Sequence, residues 1–265
     1  MFVKTVKVRS TVLVAAACAL LVTAALAGGA AAVRTAVSNK ELPIYSVQRA
    51  DKKIAISFDA GWGNEDTQQL IDALAEYNVK TTFFVVGSWV DKYPESVKAL
   101  SDAGHEVMNH SNTHPHLPRL DIAGIEAEVN NCSDKIEAIT GKRPTLLRPP
   151  YGDYDNTVIT TLRRMGISPI QWDVDSLDWK GLSAQDISQR VLKGVKDGSI
   201  VLFHNAGEHT AEALPGILKE LQARGYEIVP VSQLIYYENY TIDHTGKQIP
   251  DAAASSTPPQ PDGFE

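Results

Sequence analysis

The chain has 265 residues, 43% hydrophobic and 22% charged, which is ordinary globular usage and excludes a wholly disordered or collagen-like chain. Lys and Arg number 25 against 32 Asp and Glu, a net charge of −7. Such a surface repels phosphate backbones, so no nucleic acid partner is expected.

At the N-terminus Lys4, Lys7 and Arg9 precede a stretch, residues 11–33, that carries no charge. About 20 apolar residues suffice to cross a bilayer. Residues 1–33 therefore read as a membrane-targeting helix, either a retained anchor or a signal peptide cleaved near Ala25-Leu26-Ala27. Both readings, and the positive-inside rule, put the rest of the chain outside the cytoplasm, secreted or held on the outer face of the membrane. Residues 34–50 read as a linker and 51–240 as one domain, long enough for a sizeable core. From Thr241 onward Pro, Ser, Ala and Asp dominate, so 241–265 is expected to be a disordered tail. The two cysteines, Cys18 and Cys132, form neither a disulfide framework nor a spaced zinc pattern.

Within the domain, β-branched or aromatic runs at 53–58, 81–86, 105–109, 145–148, 167–172, 199–203 and 226–229 alternate with longer amphipathic stretches. Leu70, Ile71, Leu74 and Tyr77 recur at helical spacing, as do Ile125, Val129, Cys132, Ile136 and Ile139. Ala103-Gly104 and Arg224-Gly225 read as helix C-termini. Strands that each lead into a helix imply a parallel sheet, because parallel neighbours need a crossover. No Gly-x-Gly-x-x-Gly follows the first strand, so a closed (β/α) barrel is preferred to an open doubly wound sheet.

The residues that break the apolar pattern collect after strand ends: Asp59, His110 and His114, Arg148 to Tyr151, Asp175, Asp178 and Trp179, and His204. In a β/α barrel these ends share one rim, where that fold builds active sites. His110 and His114, four apart, would lie on one side of a helical turn and suit a divalent metal, or be surface histidines. Asp59 is either a cap for the next helix or a catalytic carboxylate. Arg148 either anchors its proline turn or pairs with Asp59 and keeps it ionised. His204 is either a packed core histidine or a proton donor tuned by Asp178. His116 takes the structural reading, a loop histidine.

Ser57-Phe-Asp-Ala-Gly61, His110-Ser-x-x-His114, Arg148-Pro-Pro-Tyr-Gly152, Asp175-x-x-Asp178-Trp179 and Val201-Leu-Phe-His204 occur in that order. Together they resemble the five motifs of the polysaccharide deacetylase family (carbohydrate esterase family 4, the NodB homology domain). The leader and the Phe-Asp-Ala-Gly-Trp-Gly variant resemble its sporulation-type and peptidoglycan-directed branch. The resemblance implies a distorted (β/α)7-type barrel and a metal-dependent hydrolase, with zinc or cobalt as cofactor. Its expected substrate is cell-wall polysaccharide, from which it takes N-acetyl groups as a monomer.

By the same resemblance Asp59 is the general base and Arg148 the residue that holds it. His110 and His114 are metal ligands, and the Tyr151 N–H is an oxyanion donor. His204 is the general acid, Asp178 tunes it, and Trp179, Tyr151 and Val201 line the substrate site. The family's first motif carries a second aspartate as third metal ligand, and here that position is Ala60. Glu65, or Asp66 beside it, supplies the missing oxygen, or water and substrate complete the sphere. Failing both, the protein is a catalytically impaired carbohydrate-binding member of the family. A structural role in envelope assembly rests on the leader alone.

Overall fold

The computed structural model describes residues 40–251. The expected membrane-targeting segment 1–33, residues 34–39 of the expected linker and 252–265 of the expected tail lie outside the described residues. No helix among the described residues is long and apolar enough to cross a membrane.

In chain order the elements are β1 (Ser46–Val47), β2 (Lys53–Ala60), α1 (Thr67–Glu76), β3 (Thr82–Val85), α2 (Gly87–Lys92), α3 (Pro94–Asp102), β4 (Glu106–Asn109), α4 (Ile122–Thr140), β5 (Leu146–Leu147) and α5 (Asn156–Arg164). They continue with β6 (Ser168–Pro169), β7 (Val174–Asp175), α6 (Ala184–Gly194), β8 (Ile200–His204), α7 (Thr210–Ala223), β9 (Glu227–Ile228), α8 (Val231–Leu234), β10 (Tyr240–Ile242) and β11 (Lys247–Pro250). The helices stop where the sequence places glycine: Gly104 and Gly225 both take φ +82, and Gly141 caps α4 at φ +71.

The main sheet runs β6-β5-β4-β3-β2-β8-β7, wholly parallel, with β9 added to the first residues of β2. Phe58 of β2 stands in register with Phe83 of β3 and Phe203 of β8, and its ring stacks on both, at 4.8 and 5.6 Å. This aromatic row forms the middle of the core beneath the helices.

The sheet is a curled half-barrel rather than a sealed one. The expected strand 167–172 shortens to β6, a separate β7 follows at Val174–Asp175, and the two sit at opposite edges with no ladder between them. The seam is bridged by the segment expected to be a linker: Ile44 pairs with Ile170 and Ser46 with Ser199. There Val47 lies so close that a Cβ on Gly198 (φ +78) would come within 1.7 Å of its carbonyl oxygen. The linker reading is therefore corrected for 41–50, which belong to the domain.

The tail reading is corrected in the same way for 241–251. β10 and β11 form a hairpin that pairs with β1. The Asp243 carboxylate accepts from the Thr245 and Lys247 N–H groups and shapes the turn. Buried Gln248 accepts from the Tyr236 N–H, fastening the hairpin to the domain.

Candidate active site

Strand alternation builds the site. Along β2, Ile54, Ile56, Phe58 and Ala60 face the core under the helices, whereas Ser57 and Asp59 face the concave side. Along β8, Val201 and Phe203 join the same core, while Leu202 and His204 line a cavity of about 530 Å³ at the strand ends. Val201, expected to line the substrate site, is instead wholly buried in the core, and its neighbour Leu202 lines the cavity. Asp59 and His204 are register partners across the two strands.

Arg148 leaves β5 wholly buried and donates from Nη1 to Asp59 Oδ1 at 2.6 Å and from Nη2 to Ser57 Oγ at 2.8 Å. Its guanidinium lies 4.2 Å from the centre of the Phe84 ring. Burial alone drives the Asp59 carboxyl upward. The charge of Arg148, with His204 beyond it, more than offsets that and holds the carboxyl below the usual carboxylate range. Asp59 is thus ionised in a dry setting and offers Oδ2 to the cavity.

His110 and His114 are neighbours, with ring centroids 4.9 Å apart, although the segment is a loop and not the helical turn expected. Ser111 and His114 both take positive φ, +65 and +60. Such strain persists only where the surroundings fix it. Here Asn109 Oδ1 accepts from the Ser111 N–H, and the Glu128 carboxylate accepts from the Asn112 and Thr113 N–H groups. Neither Asn109 nor Glu128 was legible as a site residue, since both lie outside the motifs.

His110 Nδ1 sits 2.7 Å from the Arg148 carbonyl oxygen, so that nitrogen carries the proton. Nε2 then presents its lone pair, 3.4 Å from Asp59 Oδ2. Burial lowers the pKa of His110, and burial together with His110 pulls His114 down to about 4, so both rings are neutral donors.

Two neutral imidazoles, one of them oriented through its other nitrogen, fit a divalent cation. A third protein ligand is not gathered there. Ala60 is wholly buried in the helix-side core, and the Glu65 carboxylate turns back to accept from the Asn64 N–H at 2.9 Å. Neither Glu65 nor Asp66 lines the cavity. Among the described residues no group of three or more His, Cys, Asp and Glu is arranged to hold a metal.

Tyr151 also has positive φ, +62, and its ring stacks on His116 at 4.3 Å and meets the His114 ring edge-on at 4.5 Å. His116 in turn is tied through Nδ1 to Asp153 at 2.8 Å. On the opposite wall, His204 Nδ1 and Asp178 Oδ1 are 2.7 Å apart. Asp178 Oδ2 accepts from the His204 N–H and from Thr210 Oγ1. Burial favours the neutral ring, but the hydrogen bond and charge of Asp178, with Asp59 and Asp175 behind it, raise the His204 pKa. Its Nε2 is left for the cavity. Trp179 is exposed beside it, Asp175 from the strand-end group lines the cavity as well, and so do Trp62 and Trp172, which carry no such signal in the sequence. Thr210 went unseen too, because a lone threonine opening a helix carries no signal of a partner 32 positions away.

Residues 46–170 match the polysaccharide deacetylase family model. The chain is 40% identical over 189 residues to the Bacillus subtilis peptidoglycan-N-acetylmuramic acid deacetylase PdaC, covering 71% of this chain and 40% of that one. It is 31% identical over 214 residues to a Bradyrhizobium chitooligosaccharide deacetylase, covering 73% of this chain and 98% of the relative. The chain spans less than half the length of the long peptidoglycan deacetylases it resembles, PdaC among them. Among solved structures, a wild-type pseudoenzyme of carbohydrate esterase family 4 from Bacillus anthracis superposes with a TM-score of 0.70 at 32% identity, over 72% of this chain and 68% of that one. A mutant of that protein, described as having restored enzymatic activity, superposes equally well, at 33% identity over 72% of this chain and 70% of that one.

Proposed function

The chain belongs to the polysaccharide deacetylase family, and from that premise we propose that it hydrolyses N-acetyl groups from amino sugars of extracytoplasmic cell-wall polysaccharide, peptidoglycan above all. One observation carries the reading. Two charged pairs, Asp59 with Arg148 and His204 with Asp178, face one cavity from register-matched positions on adjacent strands, with the acid held ionised and the imidazole biased toward its proton.

Under this reading Asp59 Oδ2 takes a proton from the attacking water, and Arg148 keeps Asp59 ionised for the task. The N–H of Tyr151, a residue of positive φ that lines the cavity, donates to the developing oxyanion. His204 delivers the proton from Nε2 to the departing amine, and Asp178 on Nδ1 fixes the tautomer that makes this possible. Trp179 and Leu202 give the acetyl methyl an apolar border. A divalent cation at His110 and His114, zinc or cobalt, would polarise the acetyl carbonyl and acidify the water. The apolar segment 11–33 supports an extracytoplasmic place for the domain.

The test is acetate release from β-1,4-linked N-acetylglucosamine oligomers and from peptidoglycan, with added zinc or cobalt. Ala60 and the similarity to a pseudoenzyme favour a second reading, a carbohydrate-binding protein without turnover. Tight oligosaccharide binding with no acetate at any metal concentration selects that reading.

A further inference from the structure

A second cavity, of about 490 Å³, opens at the other end of the parallel strands and shares no residue with the candidate active site. Three strands that are neighbours in the sheet bring its walls together: Lys80 leads into β3, His105 and Glu106 into β4, and Thr145 into β5. Lys80, Lys142 and Arg143 face it against one lining carboxylate, Glu106, among the described residues. In a chain of net charge −7 that local excess of cations stands out.

The cations are not equivalent. Arg143 donates to the Asp134 and Glu137 carboxylates, each at 2.7 Å, so its charge is already matched. Lys80 donates from Nζ to a neutral acceptor, the Ala103 carbonyl, at 2.6 Å. Its stem lies along Gly104 (φ +82), where a Cβ would come 3.4 Å from Lys80 Cε. The Lys142 charge acts on Glu106, yet that carboxyl is raised by burial and is occupied by the hydroxyls of Thr82 and Ser232. It therefore balances little of the positive charge. His105 is 6% exposed, and its ring is braced edge-on against Phe83. Because its Nδ1 accepts from the Thr81 N–H, the proton sits on Nε2, for which the described residues supply no acceptor. A fixed, buried N–H without an acceptor, beside an ammonium without a carboxylate, is complementary to an anionic oxygen.

We propose that this cavity binds the phosphoryl group of a small phosphate monoester, with His105 Nε2 and Lys80 Nζ as donors and Lys142 adding charge. A planar carboxylate is matched best by the fork of an arginine, and here the arginine is taken. Point donors arriving from separate strands suit a tetrahedral phosphoryl group instead. Val107, Met108 and Tyr237 offer surface to the carbon part of an ester, and the cavity is larger than a bare ion needs. The overall negative charge repels a long phosphodiester chain, which favours a single small ester. The inference lies outside the deacetylase reading and does not depend on it.

Calorimetric titration with glycerol 3-phosphate, inorganic phosphate and glycerate, at about 0.15 M salt to suppress general charge attraction, tests it. The wild type should bind glycerol 3-phosphate one to one with a Kd below about 1 mM, more tightly than either of the other two. Lys80→Met and His105→Phe, which keep the stem and the ring but remove the donor, should each weaken that binding about tenfold. Arg143→Met should leave it unchanged. Lys80 is exposed, so its variant decides the matter should His105→Phe fail to fold. Four results overturn the inference: no saturable binding of glycerol 3-phosphate, an ester that binds no more tightly than the free ion, glycerate bound as well as the ester, or equal losses in Lys80→Met and Arg143→Met. Undiminished binding in Lys80→Met does so as well.

Discussion

The two ends of the parallel strands each hold a cavity of similar size, about 530 Å³ at the C-terminal ends and about 490 Å³ where His105 and Glu106 lead into β4. Each contains a buried carboxylate and a buried imidazole. At the lower end Glu106 is satisfied by the hydroxyls of Thr82 and Ser232, and burial raises its carboxyl. His105 accepts from the Thr81 N–H at 3.3 Å, and burial lowers its pKa to about 4. Both groups are therefore biased toward neutrality. At the upper end Arg148 and Asp178 reverse both biases. Neither residue type nor cavity size distinguishes a reactive site here; the charged partner does.

The largest break in that comparison comes from the upper end. Asp59→Asn and His204→Ala should each lower acetate release by about 10²–10⁴, while His105→Ala leaves it unchanged. An assay in which either upper variant keeps wild-type activity removes that residue from its role.

Arg148→Met should come next, on stability. It strands a buried carboxylate, and urea denaturation should show a loss of about 3–5 kcal/mol. The double variant Asp59→Asn/Arg148→Met should recover part of that loss, because no charge is then left alone.

At the histidine loop, His110→Ala should abolish specific zinc binding in calorimetry, because a single imidazole is left to hold the cation. Glu65→Gln should be silent, since its carboxylate is engaged with the Asn64 N–H. A loss of zinc affinity in Glu65→Gln would restore Glu65 as a ligand.

The smallest effect belongs to the lower end. Because burial raises the Glu106 carboxyl, the native state holds that proton more tightly than the unfolded chain. Between the ordinary carboxylate pKa and the raised one, this group makes stability fall as pH rises. Glu106→Gln should flatten that slope in denaturation curves measured across the interval and leave acetate release unchanged.

The motifs made most of the upper end legible in the sequence. Asp59, His110, His114, Arg148, Asp178 and His204 do converge, because a parallel sheet brings all its strand ends to one side. What stayed hidden depends on facing and on distant partners. Val201 and Leu202 are equally apolar, and only the register with β2 shows which faces the cavity. Trp62 reads as a turn residue until its ring is found on His204. The segments at 41–50 and 241–251 are too polar and short to announce strands, and they become ordered by pairing with each other and along the seam. The turn 243–247 is shaped by the Asp243 carboxylate and by Gly246 at positive φ.

The most direct test of opposed, partner-set protonation is the pH profile of kcat/KM for acetate release, wild type beside Asp178→Asn. The wild type should give a bell, with its acid limb set by Asp59 and its alkaline limb by His204. Removing the Asp178 charge lowers the His204 pKa, so the alkaline limb should move to lower pH while the acid limb stays in place. An alkaline limb that does not move, or a wild type that releases no acetate at any pH, would contradict the account.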